Sequence, residues 1–256
     1  MLQSFAGGAL FGVRTGTGTP NVLALHGWRR SHQDFIAVLA PAGDETPLDA
    51  IAPDLPGFGA TPPPAEAWGS AEYADCVAEL LPGMAGPVVV LGHSFGGKVA
   101  VQLAAYRPDH VRALVLTGVP QLVGAGRPRR PAAAFRLIRS LHQAGLVSDE
   151  RMAAARRRYG SSDYRAAEGI MREVLVRSLA EHYEGELDAI RCPVTLVWGD
   201  DDTAAPLAGA QQAASRLADA DLVVCPGAGH LTPSTVPDVL RRAVVSHLGR
   251  VPPRTG

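Results

Sequence analysis

Five short runs of apolar residues, each ending in a glycine or a polar turn, constrain the fold of this chain more than any other feature. They are rich in valine and leucine, and they lie at residues 22–25, 88–91, 113–116, 194–198 and 222–225. The runs are nearly continuous and do not alternate between apolar and polar residues, as strands with one wet face do. Continuous runs of this length are typical of strands buried on both faces of a parallel sheet.

The segments between these runs have helical character, at about residues 32–40, 70–81, 95–106, 206–218 and 235–248. Neighbouring parallel strands need a crossover connection, which is usually a helix. Repeated alternation of strand and helix is the pattern of the α/β class. The sequence therefore predicts a mostly parallel α/β sheet flanked by helices.

One long segment interrupts this alternation. Between the run that ends at Thr117 and the run that starts at Val194, about seventy residues carry no strand signal, and helices are expected at 132–144, 148–159 and 166–183. A simple connection in a compact domain is much shorter. The segment leaves the sheet at the carboxyl end of a strand, where open α/β sheets bind ligands. We therefore predict a core of residues 1–119 and 192–256 and a helical cap of residues 120–191.

Composition excludes several classes of partner. The chain has 24 lysine and arginine residues against 25 aspartate and glutamate residues, so no net field favours nucleic acid or an anionic membrane. Cys76, Cys192 and Cys225 lack CxxC spacing and lie in apolar stretches, which predicts buried side chains. No signal-peptide pattern and no apolar stretch of membrane-span length is evident, so we expect a cytoplasmic protein without a membrane span. Nothing in the sequence indicates an oligomeric state.

The segment Gly92-His93-Ser94-Phe95-Gly96-Gly97 carries the clearest chemical signal. A G-x-S-x-G pattern occurs by chance, but here it directly follows a predicted strand and directly precedes a predicted helix. That setting predicts a nucleophile elbow, a tight turn that presents the Ser94 hydroxyl beside a helix N-terminus. The amide of Phe95, directly after the nucleophile, is then a donor for the oxyanion of a reacting carbonyl.

A serine nucleophile needs a base, and the base needs an orienting acid. After an elbow of this type the chain order is serine, acid, histidine. Asp200, Asp201 and Asp202 follow the predicted strand at 194–198, and His230 lies in a glycine-rich loop after the strand at 222–225. These positions predict Ser94 as nucleophile and His230 as base, and they leave the acid open among the three aspartates.

With these residues the chain resembles the capped α/β hydrolases, among them bacterial esterases, carbon–carbon bond hydrolases and cofactor-free haloperoxidases. The resemblance runs from about residue 15 to 248. His26-Gly27-Trp28 resembles the family's oxyanion turn, and residues 54–59 resemble its D-x-x-G-x-G loop. Gly199-x-x-Asp202, with Pro206, resembles its acid loop.

The resemblance implies an eight-stranded, mostly parallel α/β-hydrolase sheet with a helical cap inserted after strand 6. It selects Asp202 as the acid and the Trp28 amide as the second oxyanion donor beside that of Phe95. Trp28 and Phe95 are also the candidate substrate contacts. His26 and Asp54 are expected to hold their loops.

Ser94 excludes relatives with an aspartate or cysteine nucleophile, namely haloalkane dehalogenases, epoxide hydrolases and dienelactone hydrolases. Hydroxynitrile lyases rely on a lysine near the pocket, and the sole lysine here, Lys98, is expected to turn away. We expect hydrolysis of a small or medium carboxylic ester, thioester or lactone, a small-molecule acyl substrate, without metal or cofactor. Carbon–carbon bond hydrolysis, perhydrolase or haloperoxidase-type chemistry and a non-catalytic receptor are the alternatives.

The predicted cap is rich in arginine in its first half. The arginines are Arg127, Arg129, Arg130, Arg136, Arg139, Arg151, Arg156, Arg157 and Arg158. One interpretation is a solvated helix surface. The other is that one or two of them bind an anionic group of the substrate or its carrier, because guanidinium matches the geometry of carboxylate and phosphate.

Overall fold

The computed structural model describes residues 1–40, 45–123, 133–159 and 162–249. Within these residues the strands are β1 (Leu2–Phe5), β2 (Leu10–Thr15), β3 (Val22–Leu25), β4 (Ala50–Asp54), β5 (Val88–His93), β6 (Val111–Thr117), β7 (Val194–Gly199) and β8 (Ala220–Cys225). They form one sheet in the order β1-β2-β4-β3-β5-β6-β7-β8. The pairs β1–β2 and β2–β4 are antiparallel and the remaining pairs are parallel. The prediction of a mostly parallel eight-stranded sheet is confirmed.

The five predicted runs became β3 and β5 to β8, each within two residues of its predicted bounds. All residues of β3, β5 and β7 are buried, as continuous apolar runs require. One face of these strands packs against side chains such as Val38 and Leu39, and Leu240 and Val244 lie in the same cluster. Full burial of each such side chain contributes about 1.5–3 kcal/mol.

The helices of the described residues are α1 (Ile36–Leu39), α2 (Ser70–Ala78), α3 (Phe95–Tyr106), α4 (Ala133–Gln143), α5 (Asp149–Tyr159), α6 (Ser162–Ala166), α7 (Gly169–Ser178), α8 (Glu184–Ala189), α9 (Leu207–Arg216), α10 (Thr232–Thr235) and α11 (Pro237–Leu248). The first ten residues of α3 are buried, because α3 packs against the sheet, α2 and α8. None of the described helices has the length and apolar character to cross a membrane.

The described residues fall into two compact units. The first lies within Met1–Pro63, Ser70–Ala125 and His182–Gly256 and contains the sheet. The second lies within Pro64–Gly69 and Gly126–Glu181 and contains α4 to α7. Its small core comprises Phe135, Met152 and Ala155, with Ile138 and Tyr164 packed against it. The boundaries of the cap at 120 and 191 stay a prediction.

The single helix expected at 166–183 is wrong. Helix α7 starts at Gly169, whose φ of +49° breaks the preceding helical run, and it ends at Ser178. The next helix, α8, starts only at Glu184. Residues 162–166 form the short helix α6, and residues 160–161 lie outside the described part.

The turn after β4 is built around the buried carboxylate of Asp54. Its Oδ1 accepts from the His32 amide at 2.7 Å and contacts His32 Nδ1 at 2.8 Å, and its Oδ2 accepts from the Ala60 amide at 2.8 Å. The expectation that Asp54 shapes its loop is confirmed. This loop carries Phe58, whose ring lies 4.9 Å from that of Trp28.

Replacing Asp54 with alanine should lower the free energy of unfolding by about 3 kcal/mol, because two donors of partly buried His32 and the Ala60 amide lose their buried acceptor. Asp75→Ala is the matched control: this exposed carboxylate pairs with Arg107 at 3.0 Å at the surface, where ion pairs contribute at most about 1 kcal/mol. Urea unfolding at pH 7 measures both. Equal losses in the two variants would contradict a structural role for Asp54.

Candidate active site

Ser94 lies in a strained turn between β5 and α3. Its backbone has φ of +50° and ψ of −113°, a conformation that costs a residue with a side chain about 1–3 kcal/mol. The Ser94 amide donates to the Thr117 carbonyl at the end of β6, 2.9 Å away. The turn therefore has the strand-to-helix geometry that the motif predicts for an elbow.

Close backbone packing imposes this turn. A Cβ atom at Gly96 would lie 2.1 Å from the Leu25 carbonyl oxygen at the end of β3. A Cβ at Gly92 would lie 2.6 Å from Gly97 Cα, on the opposite side of the turn. Only glycine fits at either position, because no side-chain rotation relieves a contact with backbone.

The structure brings together Ser94, His230 and Asp202 from three different strand ends. The Ser94 Oγ lies 3.1 Å from His230 Nε2, and His230 Nδ1 lies 2.8 Å from Asp202 Oδ2. A carboxylate only accepts hydrogen bonds, so Nδ1 carries the proton and donates to Asp202. His230 Nε2 is then the acceptor for the Ser94 hydroxyl, which is the arrangement that a general base requires.

Asp202 is the buried member of the three aspartates. Its Oδ1 accepts from the amides of Ala204 at 2.9 Å and Ala205 at 2.8 Å. Burial by itself raises the pKa of Asp202, but the hydrogen bonds from His230, Ala205 and Ala204 outweigh it, so the pKa lies below its ordinary value. Asp202 therefore faces His230 as an ionised carboxylate.

Asp200 and Asp201 are exposed and take other parts in the structure. Asp200 Oδ1 accepts from the Gly227 amide at 2.7 Å, and the Asp201 amide donates to the Ala228 carbonyl at 3.1 Å. Both bonds join the loop after β7 to the loop that carries His230. The sequence did not predict this link between the two loops.

The turn His26-Gly27-Trp28 lies beside the elbow. A Cβ atom at Gly27 would come within 3.3 Å of Ser94 Cβ, so the backbone of this turn passes next to the nucleophile. Neither the Trp28 amide nor the Phe95 amide has a hydrogen-bond acceptor among the described residues. Both amides are available to a developing oxyanion, and Phe95 is the first residue of α3, where amides lack acceptors within the helix.

His26 holds this turn. Its Nδ1 donates to the Gly27 carbonyl at 2.8 Å, and its Nε2 accepts from the Leu55 amide at 2.9 Å. Burial lowers the pKa of His26 to about 4, so the ring stays neutral and both hydrogen bonds persist at neutral pH. The expectation of a structural His26 is confirmed.

The aromatic rings around the elbow form one cluster of edge-to-face contacts. The Trp28 ring lies 5.5 Å from that of Phe95, and the Tyr73 ring lies 5.0 Å from Phe95 on the other side. Phe58 contacts Trp28 and lies 6.1 Å from Phe95. Tyr73 Oη donates to the Pro56 carbonyl at 2.9 Å. The cluster packs the loop after β4 against both oxyanion candidates.

Sequence reasoning missed residues that contact His230 and its loop. A Cβ at Gly118 would lie 3.1 Å from His230 Nδ1 and 3.3 Å from Asp202 Oδ2, so its backbone covers their hydrogen bond. Thr117 Oγ1 lies 2.6 Å from Thr232 Oγ1, and His93 Nε2 donates to the His230 carbonyl at 2.9 Å. Two sequence features could have indicated these contacts: the pair Thr117-Gly118 at the end of a predicted strand, and His93 directly before Ser94.

Lys98 is buried within α3, four residues after Ser94. Its ammonium donates to Gln121 Oε1 at 3.2 Å and lies 5.6 Å above the ring of Tyr183. Arg136, Arg139 and Arg151 are exposed within the second unit. Of the other arginines in the first half of the predicted cap, Arg127, Arg129 and Arg130 lie outside the described residues, as do the side chains of Arg156, Arg157 and Arg158.

Comparison with known proteins identifies relatives of the chain. The chain matches the model of the alpha/beta hydrolase family over residues 22–243. It is 32% identical over 240 residues to a pimeloyl-(acyl-carrier protein) methyl ester esterase from Aromatoleum aromaticum, which covers 82% of this chain and 91% of that protein. It is 46% identical over 101 residues to lipase LipV from Mycobacterium tuberculosis, which covers 39% of this chain and 37% of that protein.

Among solved structures, a thermophilic esterase from Thermogutta terrifontis superposes with a TM-score of 0.67 at 24% identity. The match covers 97% of this chain and 98% of that one, and at this identity it shows a shared fold.

The lowered pKa of Asp202 predicts a pH-dependent contribution to stability. A carboxylate with a depressed pKa stabilises the fold above its unfolded-state pKa of about 3.9, and it loses this contribution as the pH falls through the lower folded pKa. The free energy of unfolding lost in Asp202→Asn should therefore be larger at pH 7 than at pH 3, as urea unfolding measures. Asp201→Asn, at an exposed neighbour, is the control. A loss in Asp202→Asn that is the same at both pH values would contradict the ionised Asp202.

Proposed function

Since the chain belongs to the alpha/beta hydrolase family, we propose that it hydrolyses carboxylic esters through an acyl-enzyme formed on Ser94. The membership confirms the resemblance that the motifs predicted, and with it the prediction of a hydrolase. The proposal is carried by the continuous hydrogen-bonded line from Ser94 Oγ through His230 to Asp202. A nucleophile, a base and an orienting acid in contact are the groups that acyl transfer to water uses.

In the first half of the reaction, Ser94 Oγ attacks the ester carbonyl carbon while its proton passes to His230 Nε2. The carbonyl oxygen becomes an oxyanion, for which the amides of Phe95 and Trp28 are the proposed donors; each such donor contributes about 3–4 kcal/mol in comparable sites. Asp202 stabilises the imidazolium that forms. His230 then gives its proton to the leaving alkoxide, the alcohol departs and the acyl group remains on Ser94.

In the second half, His230 takes a proton from water, and the hydroxide that forms attacks the acyl carbon. The tetrahedral intermediate collapses, His230 returns the proton to Ser94 Oγ, and the carboxylic acid leaves. One ester and one water yield one acid and one alcohol. The His230 side chain is 27% exposed, so water reaches the base within the described structure.

We place the substrate in the class of small or medium carboxylic esters. Relatives named as esterases and a lipase support an ester, and one of them is named for a methyl ester, which has a small leaving group. We assign substrate selection to the helical segment 120–191 and direct contact with the acyl group to Trp28 and Phe95. Both rings belong to the aromatic cluster at the elbow.

A fluorophosphonate probe tests the nucleophile, because it phosphonylates an activated serine and releases fluoride. The wild type and the control Ser215→Ala should be labelled, and Ser94→Ala should not. Turnover of p-nitrophenyl acetate and butyrate should fall by roughly 10⁵–10⁶-fold in Ser94→Ala and should exceed turnover of the dodecanoate in the wild type. Undiminished labelling of Ser94→Ala would overturn the nucleophile, and labelling without ester turnover would overturn the substrate class.

The exposed arginines of α4 allow a test of anion recognition by the proposed cap. Arg136→Gln and Arg139→Gln should raise KM for the monomethyl ester of a dicarboxylic acid by about fivefold, equivalent to ~1 kcal/mol for an exposed ion pair. KM for the neutral dimethyl ester should stay unchanged, and the charge-preserving Arg136→Lys serves as control. If the ratio of the two KM values is the same in the variants as in the wild type, the arginines of α4 belong to a solvated helix surface and do not bind the anionic group.

A further inference from the structure

His93, the last residue of β5, is buried and directly precedes Ser94 in the chain. Its Nε2 lies 2.9 Å from the backbone carbonyl oxygen of His230. A carbonyl only accepts, so His93 Nε2 carries a proton and donates it. One short hydrogen bond therefore joins the residue next to the nucleophile to the backbone of the base.

The other ring nitrogen of His93, Nδ1, is buried and makes no hydrogen bond within the described structure. A Cβ atom at Gly27 would lie 2.9 Å from it, so the backbone of the oxyanion turn packs against this edge of the ring. A second proton on Nδ1 would be desolvated without an acceptor, and only the neutral ring with the proton on Nε2 fits.

The two histidine rings also contact each other, with their centroids 5.0 Å apart. Burial, followed by the neighbouring charge of His230, lowers the pKa of His93 to about 4. Asp34 and Arg30 act on His93 more weakly and with opposite signs. A charge on His93 would repel the imidazolium that His230 becomes during acyl transfer, and the site avoids this because His93 stays neutral.

We propose that His93 is a positioning residue that holds the His230 backbone at the distance at which His230 Nε2 accepts the proton of Ser94. The inference rests on the proposed function. Displacing a catalytic group by about 1 Å lowers the rate by up to about 100-fold. Side-chain torsions of His230 place its Nε2 relative to Ser94 only if the backbone that carries the ring is itself fixed. His93 supplies that restraint from the strand that ends in the nucleophile.

His93→Leu introduces an apolar side chain of similar size and removes the donor, while His93→Gln places an amide N–H near the position of Nε2. We expect kcat for p-nitrophenyl butyrate to fall about 10- to 100-fold in His93→Leu with KM within about twofold, and to recover to within about threefold of the wild type in His93→Gln. Fluorophosphonate labelling should slow in parallel, because it uses the same proton transfer from Ser94 to His230.

His247→Leu is the matched control. His247 is a buried histidine of α11, far along the chain from the elbow, and its Nε2 lies 2.9 Å from Thr195 Oγ1. This variant should lose stability in thermal unfolding as His93→Leu does but keep the wild-type kcat. A wild-type kcat in a folded His93→Leu, or equal losses of kcat in the two leucine variants, would overturn the proposal.

A measurement on the unaltered protein covers the case in which His93→Leu does not fold. Nitrogen-15 NMR of histidine-labelled protein should show the neutral His93 ring with its proton on Nε2 between pH 5 and pH 8. A cationic ring at pH 6, or a proton on Nδ1, would overturn the inference. Failure of the wild type to react with the fluorophosphonate would instead overturn the proposed function, because the NMR result does not depend on activity.

Discussion

The close approach of α3 to the end of β3 is the constraint on which the rest of the site depends. A Cβ atom at Gly96 would lie only 2.1 Å from the Leu25 carbonyl oxygen, so no side chain fits at this position in the first turn of the helix. The chain then has a single residue, Ser94, in which to turn from the last strand residue to the first helical one, and that residue takes a positive φ. The buried residues of β5 before Ser94 and of α3 after it keep Ser94 in this strained conformation. The same packing places the first amide of α3 at the nucleophile.

Three histidines near the elbow have different protonation chemistry because their partners differ. His26 donates from Nδ1 to a carbonyl and accepts at Nε2 from an amide, and His93 donates from Nε2 to a carbonyl. Both are buried, and neither faces a carboxylate at its second nitrogen. His230 alone has its Nδ1 against a buried carboxylate and its Nε2 against a hydroxyl. In the proposed reaction a proton taken from Ser94 is therefore stabilised on His230, and the other two rings stay neutral.

The sequence predicted the central strands closely because full burial leaves continuous apolar runs. It did not predict the positions of β1, β2 and β4. Residues of β1 and β2 are exposed or of mixed burial, and β4 contains Pro53, so none of the three has a continuous apolar run typical of a strand. Ser94 and His230 were predicted from chain order and strand context, and Asp202 only through the acid-loop spacing of the family. Gly118 was not found, because its part depends on the approach of backbone to the His230 ring, and no local pattern records a contact between distant segments.

The loop that carries His230 contains two glycines, Gly227 and Gly229, directly before the histidine. Such a loop needs restraints to hold the His230 ring within hydrogen-bond distance of Ser94. The described structure supplies them from three strand ends. Asp200 binds the Gly227 amide before the histidine, His93 binds the His230 carbonyl, and Thr117 contacts Thr232 after it. Each restraint comes from the carboxyl end of a different strand, namely β7, β5 and β6. Since those three strands are hydrogen-bonded neighbours in the sheet, the geometry of the sheet fixes the position of this loop and with it the distance between Ser94 and His230.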